Sequence, residues 1–562
     1  MKKNIKKTLE TLKTLSLPLS LTLALSFSAC ADVDSELVEF QEDNTLHSVN
    51  DTVFSLMGVI EKMQNIADRT VLLGEVRGDL VSLEDAASAD LQSLANFNAD
   101  GSNAYNDARD YYAIIQNCNY FIKNVDLSLK KRRDSIFVKE YAAIKTFRAW
   151  TYLQLALIYG EVPYLTEPIL TEKDADPKLY QKRNIHDICD SLIADIAPYV
   201  DAKLPPYGSM GGFSSSNFYY PVRVLLGDLS LWAGHYQQAA KYYHDYLTIQ
   251  NDTKPLGNNQ VTWFNYEFNQ INDSYSRSIT DGQVATTFIP MAADEYSGLM
   301  TRLPELFNST DKNQYYNQIT RSRAYTNLSQ SQRYTLQYTD PVTGLPVVIY
   351  PSDSVVYNDA AQKGDLRLSC NFKLTTSDKA DASFNREKQT VSKIQENRVI
   401  IYRLAYAYLR YAEALNRAGY PQCAFAVVKY GLNNYNMDRF ISQDERARAG
   451  ELVNFSDYYF TRTNTIGLHA RGCGDCSEDS LFFIPDLPTR EDSILFVEDV
   501  ILDEAALETV AEGQRFYDLM RVALRRNNPA YLADKVASRT GLLDAGLKSV
   551  LMDKKNWYLP LE

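Results

Sequence analysis

Histidine is scarce in this chain, five in 562 residues, which leaves little imidazole for acid–base chemistry or metal binding. The sequence also lacks a Gly-rich phosphate loop, a His-Glu-x-x-His pair and a Gly-x-Ser-x-Gly elbow, and with them the enzyme classes those motifs serve. A pair of carboxylates drawn from distant positions, as in a glycosidase, has no local signature and stays open. Basic residues are in the minority, 58 Lys and Arg against 71 Asp and Glu, and phosphate-backbone binding relies on a basic surface, so nucleic acid is not an expected partner. Beyond residue 29 no apolar run approaches the roughly 20 residues of a membrane span. Tryptophan is also rare. The four Trp stand beside 39 Tyr and 23 Phe, so the chain has much phenol to place where apolar and polar surroundings meet.

What is present begins with a leader. Lys2, Lys3, Lys6, Lys7 and Lys13 form a basic segment, and Leu15 to Phe27 an apolar one too short to span a bilayer. The leader, residues 1–29, ends in Phe27-Ser28-Ala29-Cys30, which resembles a bacterial lipoprotein cleavage box, so Cys30 is expected to carry lipid. Asp32, Asp34 and Glu36 follow within an acidic tether, residues 30–45, and resemble the surface-export signal of Bacteroidota lipoproteins. Without the leader's five Lys and one Glu the net charge falls from −13 to −17. The lipid is then the one expected membrane anchor, on the outer membrane and facing the exterior.

Six cysteines follow Cys30. Cys118 and Cys423 sit in apolar helical patterns and read as small buried hydrophobes. Cys473 and Cys476 form a C-x-x-C in "RGCGDCSED". In an exported protein a local disulfide is the first reading, with two free thiols next. A tetrahedral zinc site needs two more ligands and only His469 is near in sequence, so no metal and no cofactor are expected.

The segment "FRAWTYLQLALIYGEVPYLTEP" is apolar almost all round, with Arg148, Thr151 and Gln154 its only polar stripe. Such a helix must be covered on several sides. It stops at Gly160 and leaves through Pro163 as an extended segment. Two repeats follow. In "VRVLLGDLSLWAGHYQQAAKYYHDYL", Gly227, Gly234 and Ala239 stand at tetratricopeptide spacing, and Ala412, Gly419 and Ala424 repeat them in 401–432. Helix pairs of this kind bury their faces only by stacking. Between 251 and 400, short alternating runs such as "QVATTFIPM" and "LPVVIYPSDSVVY" predict loops and hairpins carried on the helical scaffold. A closing helix is expected from about Leu502. The expected divisions are thus 46–250, a helical region; 251–400, a variable insertion; and 401–562, the last helix pair and the closing helix.

With "YRLAYAYLRYAEALNRAG", "EGQRFYDLMR" and the terminal "NWYLPLE", the "FRAWTYLQLALIYG" segment makes the chain resemble the SusD/RagB family of nutrient-binding outer-membrane lipoproteins. The resemblance implies a mainly α fold, a tetratricopeptide-like core with a loop- and hairpin-rich ligand face. It implies no catalysis, an oligosaccharide ligand or in some members an oligopeptide, and a SusC-like TonB-dependent transporter as partner. A pure interaction scaffold and a surface glycosidase are the competing classes. Arg410, Glu413, Glu512, Arg515 and Asp518 lie on largely apolar helices and read as buried ion pairs and caps rather than ligand contacts. In such a family the ligand face comes mainly from two loops, here about 77–104 and 291–318. These offer Arg77, Asp79, Asn96 and Asn98, and Asp294, Glu295, Tyr296, Tyr315 and Tyr316. Neither loop holds a Trp, which argues against starch, and the net charge favours neutral over anionic glycans, a preference that a local basic patch around Arg77 or Arg302 would reverse.

Overall fold

In the computed structural model, which describes residues 49–131, 134–250, 252–265, 270–281, 285–351, 364–375 and 387–561, the apolar segment forms the second half of the Val138–Tyr159 helix. Phe147, Trp150, Leu153, Leu155 and Ile158 are all buried there, Trp150 at 3% exposure. The Arg109–Asn124, Ile185–Ile196 and Val222–Ala233 helices cover it, as its all-round apolarity requires. Two residues of its polar stripe bond inside the protein. Arg148 donates to Asp195 at 2.8 Å and to Asn119 at 2.7 Å, and Thr151 donates to the Phe147 carbonyl at 2.8 Å. Gly160 ends the helix at φ 78°, where a Cβ would lie 3.2 Å from the Tyr558 ring. The chain's last residues therefore close over the helix exit.

The repeats have the expected form. The Val222–Ala233 and Tyr236–Thr248 helices turn at Gly234, which is left-handed. A Cβ at Gly227 would stand 2.7 Å from the Tyr243 ring, so only glycine lets that ring cross the pair. The Leu404–Arg417 and Pro421–Lys429 helices repeat the arrangement and pack on the first pair. The closing helix begins earlier than the sequence reading, running Arg490–Thr509 from a Thr489–Asp492 capping box. Its first turns look solvated in sequence because Glu498 interrupts the apolar spacing, yet Glu498 is buried, as are Glu504 and Glu508 further along.

Those carboxylates explain the interruption. Arg403 holds Glu512 at 2.7 Å through both Nε and Nη2 and Glu508 at 3.1 Å. Arg367 reaches Asp365 at 2.6 Å, Glu504 at 2.8 Å and Glu508 at 2.8 Å. Lys393 pairs with Glu512 at 2.7 Å and Arg471 with Glu508 at 3.1 Å. Burial alone would raise the Glu508 pKa, but Arg471, Arg403 and Arg367 outweigh it and hold the carboxyl well below its usual range. On the Arg515–Arg525 helix, Arg521 grips Glu413 at 2.7 and 2.8 Å and Asp518 at 2.9 Å, while Arg410 pairs with Asp518. The charged residues of the two C-terminal motifs are therefore scaffold ion pairs.

Between 251 and 400, hairpins join Val261–Asn265 with Gln270–Asp273 and Leu336–Thr339 with Pro346–Ile349. Two antiparallel ladders bind this segment to the chain on either side. Val81–Leu83 pairs with Ile319–Arg321, and Ala285–Pro290 with Arg398–Arg403. Among the described residues no helix is long and apolar enough to cross a membrane. Cys30 and the leader lie outside the described residues.

Arg77 and Asp79, expected on the ligand face, are instead buried at 1% and 5% exposure. The Arg77 guanidinium lies 4.1 Å from the Phe516 ring and 5.5 Å from Phe97 and donates to the Trp557 carbonyl. Burial lowers its pKa to about 10. Asp79 accepts from Arg515 Nε at 2.6 Å and Nη2 at 2.9 Å. Their hydrogen-bonding partners stand more than four hundred residues away in sequence, so the nearby sequence does not distinguish them from loop charges.

Two stability outcomes follow from this packing. Trp150→Ala should cost about 3–5 kcal/mol in urea unfolding, as expected for an enclosed indole; a loss within error would place the helix at the periphery. Asp79→Ala should also cost about 3–5 kcal/mol, because it leaves Arg515 buried without its carboxylate. A solvent-facing Asp79 would cost under about 0.5 kcal/mol in the same measurement.

Candidate functional site

The ladder of Val81–Leu83 with Ile319–Arg321 draws the two expected ligand loops together, with Val81 opposite Arg321 and Leu83 opposite Ile319. Beyond it the Glu84 amide donates to the Gln318 carbonyl at 2.9 Å and the Ser88 amide to Gln318 Oε1 at 2.9 Å. A second tether comes from Asp68 in the Ala67–Glu75 helix, which accepts from Thr301 Oγ1 and from the Arg302 amide. Burial raises the Asp68 pKa despite these bonds. The segment from Ala292 to Leu303 thus leaves the Ala285–Pro290 strand at one end and is held to a helix of the core at the other, from which the chain runs on to the ladder.

Local backbone geometry decides which side chains face outward. Asp294 accepts from the Tyr296 and Ser297 amides at 3.0 and 2.9 Å, making a tight turn that leaves the Tyr296 ring 93% exposed. Asp294 and Glu295 are exposed beside it. Gln314 and Tyr315 have φ of 54° and 65°, a reversal fixed by the Tyr315 amide donating to the Thr310 carbonyl at 2.7 Å. Two consecutive non-glycine residues in this region are uncommon and cost energy the surroundings must supply. Tyr316 is exposed at this reversal, while Tyr315 is half-buried with Lys388 Nζ 4.0 Å from its ring centre. Phe97 is also left-handed, φ 57°, which turns its ring in against Phe516 at 5.5 Å and leaves Asn96 and Asn98 exposed.

Of the nine expected ligand residues, the structure puts Asn96, Asn98, Asp294, Glu295, Tyr296 and Tyr316 on the surface, Tyr315 partly so, and Arg77 and Asp79 inside. Lys388, delivered by the Lys388–Thr390 strand, has no signal in the sequence near either loop. Arg302 is exposed but paired with Glu305 at 2.7 Å, so it makes no free basic patch.

A second surface was not foreseen. Tyr458 and Tyr459 are exposed, and Tyr435 carries Arg462 4.1 Å above its ring. Tyr430 and Phe440 stack in parallel at 3.8 Å. Tyr430, Tyr435, Phe440 and Arg462 border an open cavity of about 160 Å³ that is also lined by the loop of Gly474, Asp475, Ser477 and Glu478. That loop joins Cys473 and Cys476, which are both buried and stand unbridged in this structure. Cys473 closes the Ala470–Cys473 turn and Cys476 opens the Cys476–Glu478 turn beyond Gly474 at φ 66°. Each thiol has its own acceptor, Asp365 Oδ2 at 3.4 Å and the Lys429 carbonyl at 3.8 Å.

Comparison with known proteins bears on the fold that carries these surfaces. Residues 372–560 match the model of the SusD family. No curated protein matches the chain in sequence. Among solved structures, a SusD superfamily protein from Bacteroides vulgatus superposes with a TM-score of 0.53 at 13% identity, covering 89% of this chain and 91% of that one. A SusD-like carbohydrate-binding protein from Bacteroides fragilis gives 0.52 at 14% identity, covering 87% and 88%. A laminarin-binding SusD-like protein gives 0.50 at 15% identity, covering 92% and 96%. At such identities the likeness is one of fold. Residues 372–560 carry the SusD family signature, and the chain as a whole has the fold of SusD superfamily proteins.

Proposed function

We propose that this protein is a cell-surface lipoprotein that captures a soluble oligosaccharide without turnover and passes it to a SusC-like TonB-dependent transporter. The observation that carries the reading is the face built on the Val81–Leu83 and Ile319–Arg321 ladder. It presents an almost fully exposed Tyr296 ring with Tyr316, Asn96, Asn98 and Glu295 in the same two loops. Sugar rings offer flat C–H faces for aromatic stacking, and amides and carboxylates hold their hydroxyls. Similar folds described as carbohydrate-binding and laminarin-binding support the ligand class. An open loop face suits a protein that must also release its cargo. The leader and Cys30 support lipid anchoring, and net negative charge favours a neutral glycan.

A glycan array followed by calorimetry tests the ligand. Tyr296→Ala should weaken binding of a hit by about 1–3 kcal/mol with unfolding unchanged. Tyr315→Ala should cost less, since Lys388 already covers that ring. Binding of a peptide mixture with silence across glycans would move the ligand class to oligopeptides. For the anchor and partner, Cys30→Ala should leave the detergent phase, and the unaltered protein should co-purify from native membranes with a large β-barrel. Membrane retention of the variant, or purification alone, would remove those parts of the reading.

A further inference from the structure

The sequence offers two thiols and one imidazole close together; the fold adds a carboxylate from more than a hundred residues away. Single donor atoms of Asp365, His469 and Cys473 lie within 4.8 Å of one another, and all three residues are buried. His469 and Cys473 stand four apart on one short turn, where the Cys473 amide donates to the His469 carbonyl at 3.0 Å, so both side chains share a face. Cys476 packs against Cys473 and Ala470 in the same cluster.

We propose that Asp365, His469, Cys473 and Cys476 form a buried site for a thiophilic divalent cation, which the donor set identifies as zinc. Two sulfurs, one imidazole nitrogen and one carboxylate oxygen are a tetrahedral zinc set. Cys476, whose thiol donates to the Lys429 carbonyl at 3.8 Å, completes it by turning toward Cys473.

The surroundings are arranged as outer ligands of a metal site. Glu504 Oε2 lies 2.8 Å from His469 Nδ1 and fixes the ring, and Arg367 donates to both oxygens of Asp365; metal-bound imidazoles and carboxylates are held in this way. Asp365 is pressed onto the Cys473 turn. A Cβ at Gly472 would stand 1.9 Å from its Oδ1, and the Leu366 amide donates to the Gly472 carbonyl at 3.0 Å. On the far side the Thr335 amide donates to the Cys473 carbonyl at 3.0 Å, and the Asp475 amide to the Thr335 carbonyl at 2.8 Å. Charge also fits. Arg367, Arg403, Arg471 and Lys393 already face Asp365, Glu504, Glu508 and Glu512, and a divalent cation held by two thiolates leaves that buried network neutral. The loop between the cysteines, Gly474 and Asp475, is part of the wall of the 160 Å³ cavity, so the proposed site lies directly beneath a segment that solvent reaches.

The purified protein, kept reduced with a phosphine and stripped with EDTA, is titrated with zinc chloride against a chromophoric chelator. One zinc per chain is expected. Cobalt chloride in its place should give a near-ultraviolet thiolate-to-cobalt charge-transfer band and the visible bands of a tetrahedral ion. Cys473→Ser and His469→Gln should each weaken zinc at least about tenfold, and Cys476→Ser should reduce the charge-transfer intensity by about half. Circular dichroism of the metal-free variants separates a lost ligand from a lost fold; if they do not fold, the cobalt spectrum of the unaltered protein decides alone. The proposal is overturned by absence of binding, by cobalt binding without the thiolate band, by unchanged zinc affinity in folded Cys473→Ser, or by a Cys473–Cys476 disulfide that forms in spite of saturating zinc.

Discussion

The architecture depends on charge that is buried and compensated. The Arg490–Thr509 helix sends Glu498, Glu504 and Glu508 into the interior, and each meets partners from elsewhere in the chain. Arg525 and Arg526 hold Glu498; Arg367 and His469 hold Glu504; Arg367, Arg403 and Arg471 hold Glu508. A well-packed apolar core would give as much stability, and removing one member of such a network leaves a charge stranded in low dielectric. What the network adds is specificity of assembly. Arg367 and Lys393 belong to the 251–400 segment and Arg403 follows it directly, so the insertion docks in one register on the closing helix or leaves several carboxylates unpaired.

The same network sets how much of the fold the sequence reveals. Val138–Tyr159 and the two helix pairs are legible because apolar burial and Gly turns are local and periodic. The start of the closing helix is not, because buried glutamates mimic a solvated face. The charges of the C-terminal motifs are legible as ion pairs from their apolar helical setting, while Arg77 and Asp79 lack such a setting. Arg77 packs on Phe516 and donates to the Trp557 carbonyl, and Asp79 accepts from Arg515. Their burial is a property of the chain's far end.

At the ligand face the two loops are legible as segments but their geometry is not. The positive φ angles at Phe97, Gln314 and Tyr315 decide which rings turn inward and which amides face out, and none of these positions is a glycine or carries another local mark of such a turn. A stack of helices below, with short ladders above, holds loops of this kind on rigid ground while leaving their tips open. That division suits capture and release, since tight enclosure would slow the hand-over that the proposed role requires.

The C-x-x-C loop shows why spacing alone undercounts a metal site. Read along the chain, Cys473, Cys476 and His469 make three donors of uncertain use; Asp365 joins them only because Gly472 lets its carboxylate reach the turn. Glu504 then belongs to two systems at once, pairing with Arg367 in the scaffold network and orienting His469 in the proposed site. The loop between the cysteines is also one wall of the cavity edged by Tyr435 and Arg462. An ion in the proposed site would therefore stiffen that wall from beneath, and the scaffold charge network would fix where the wall stands.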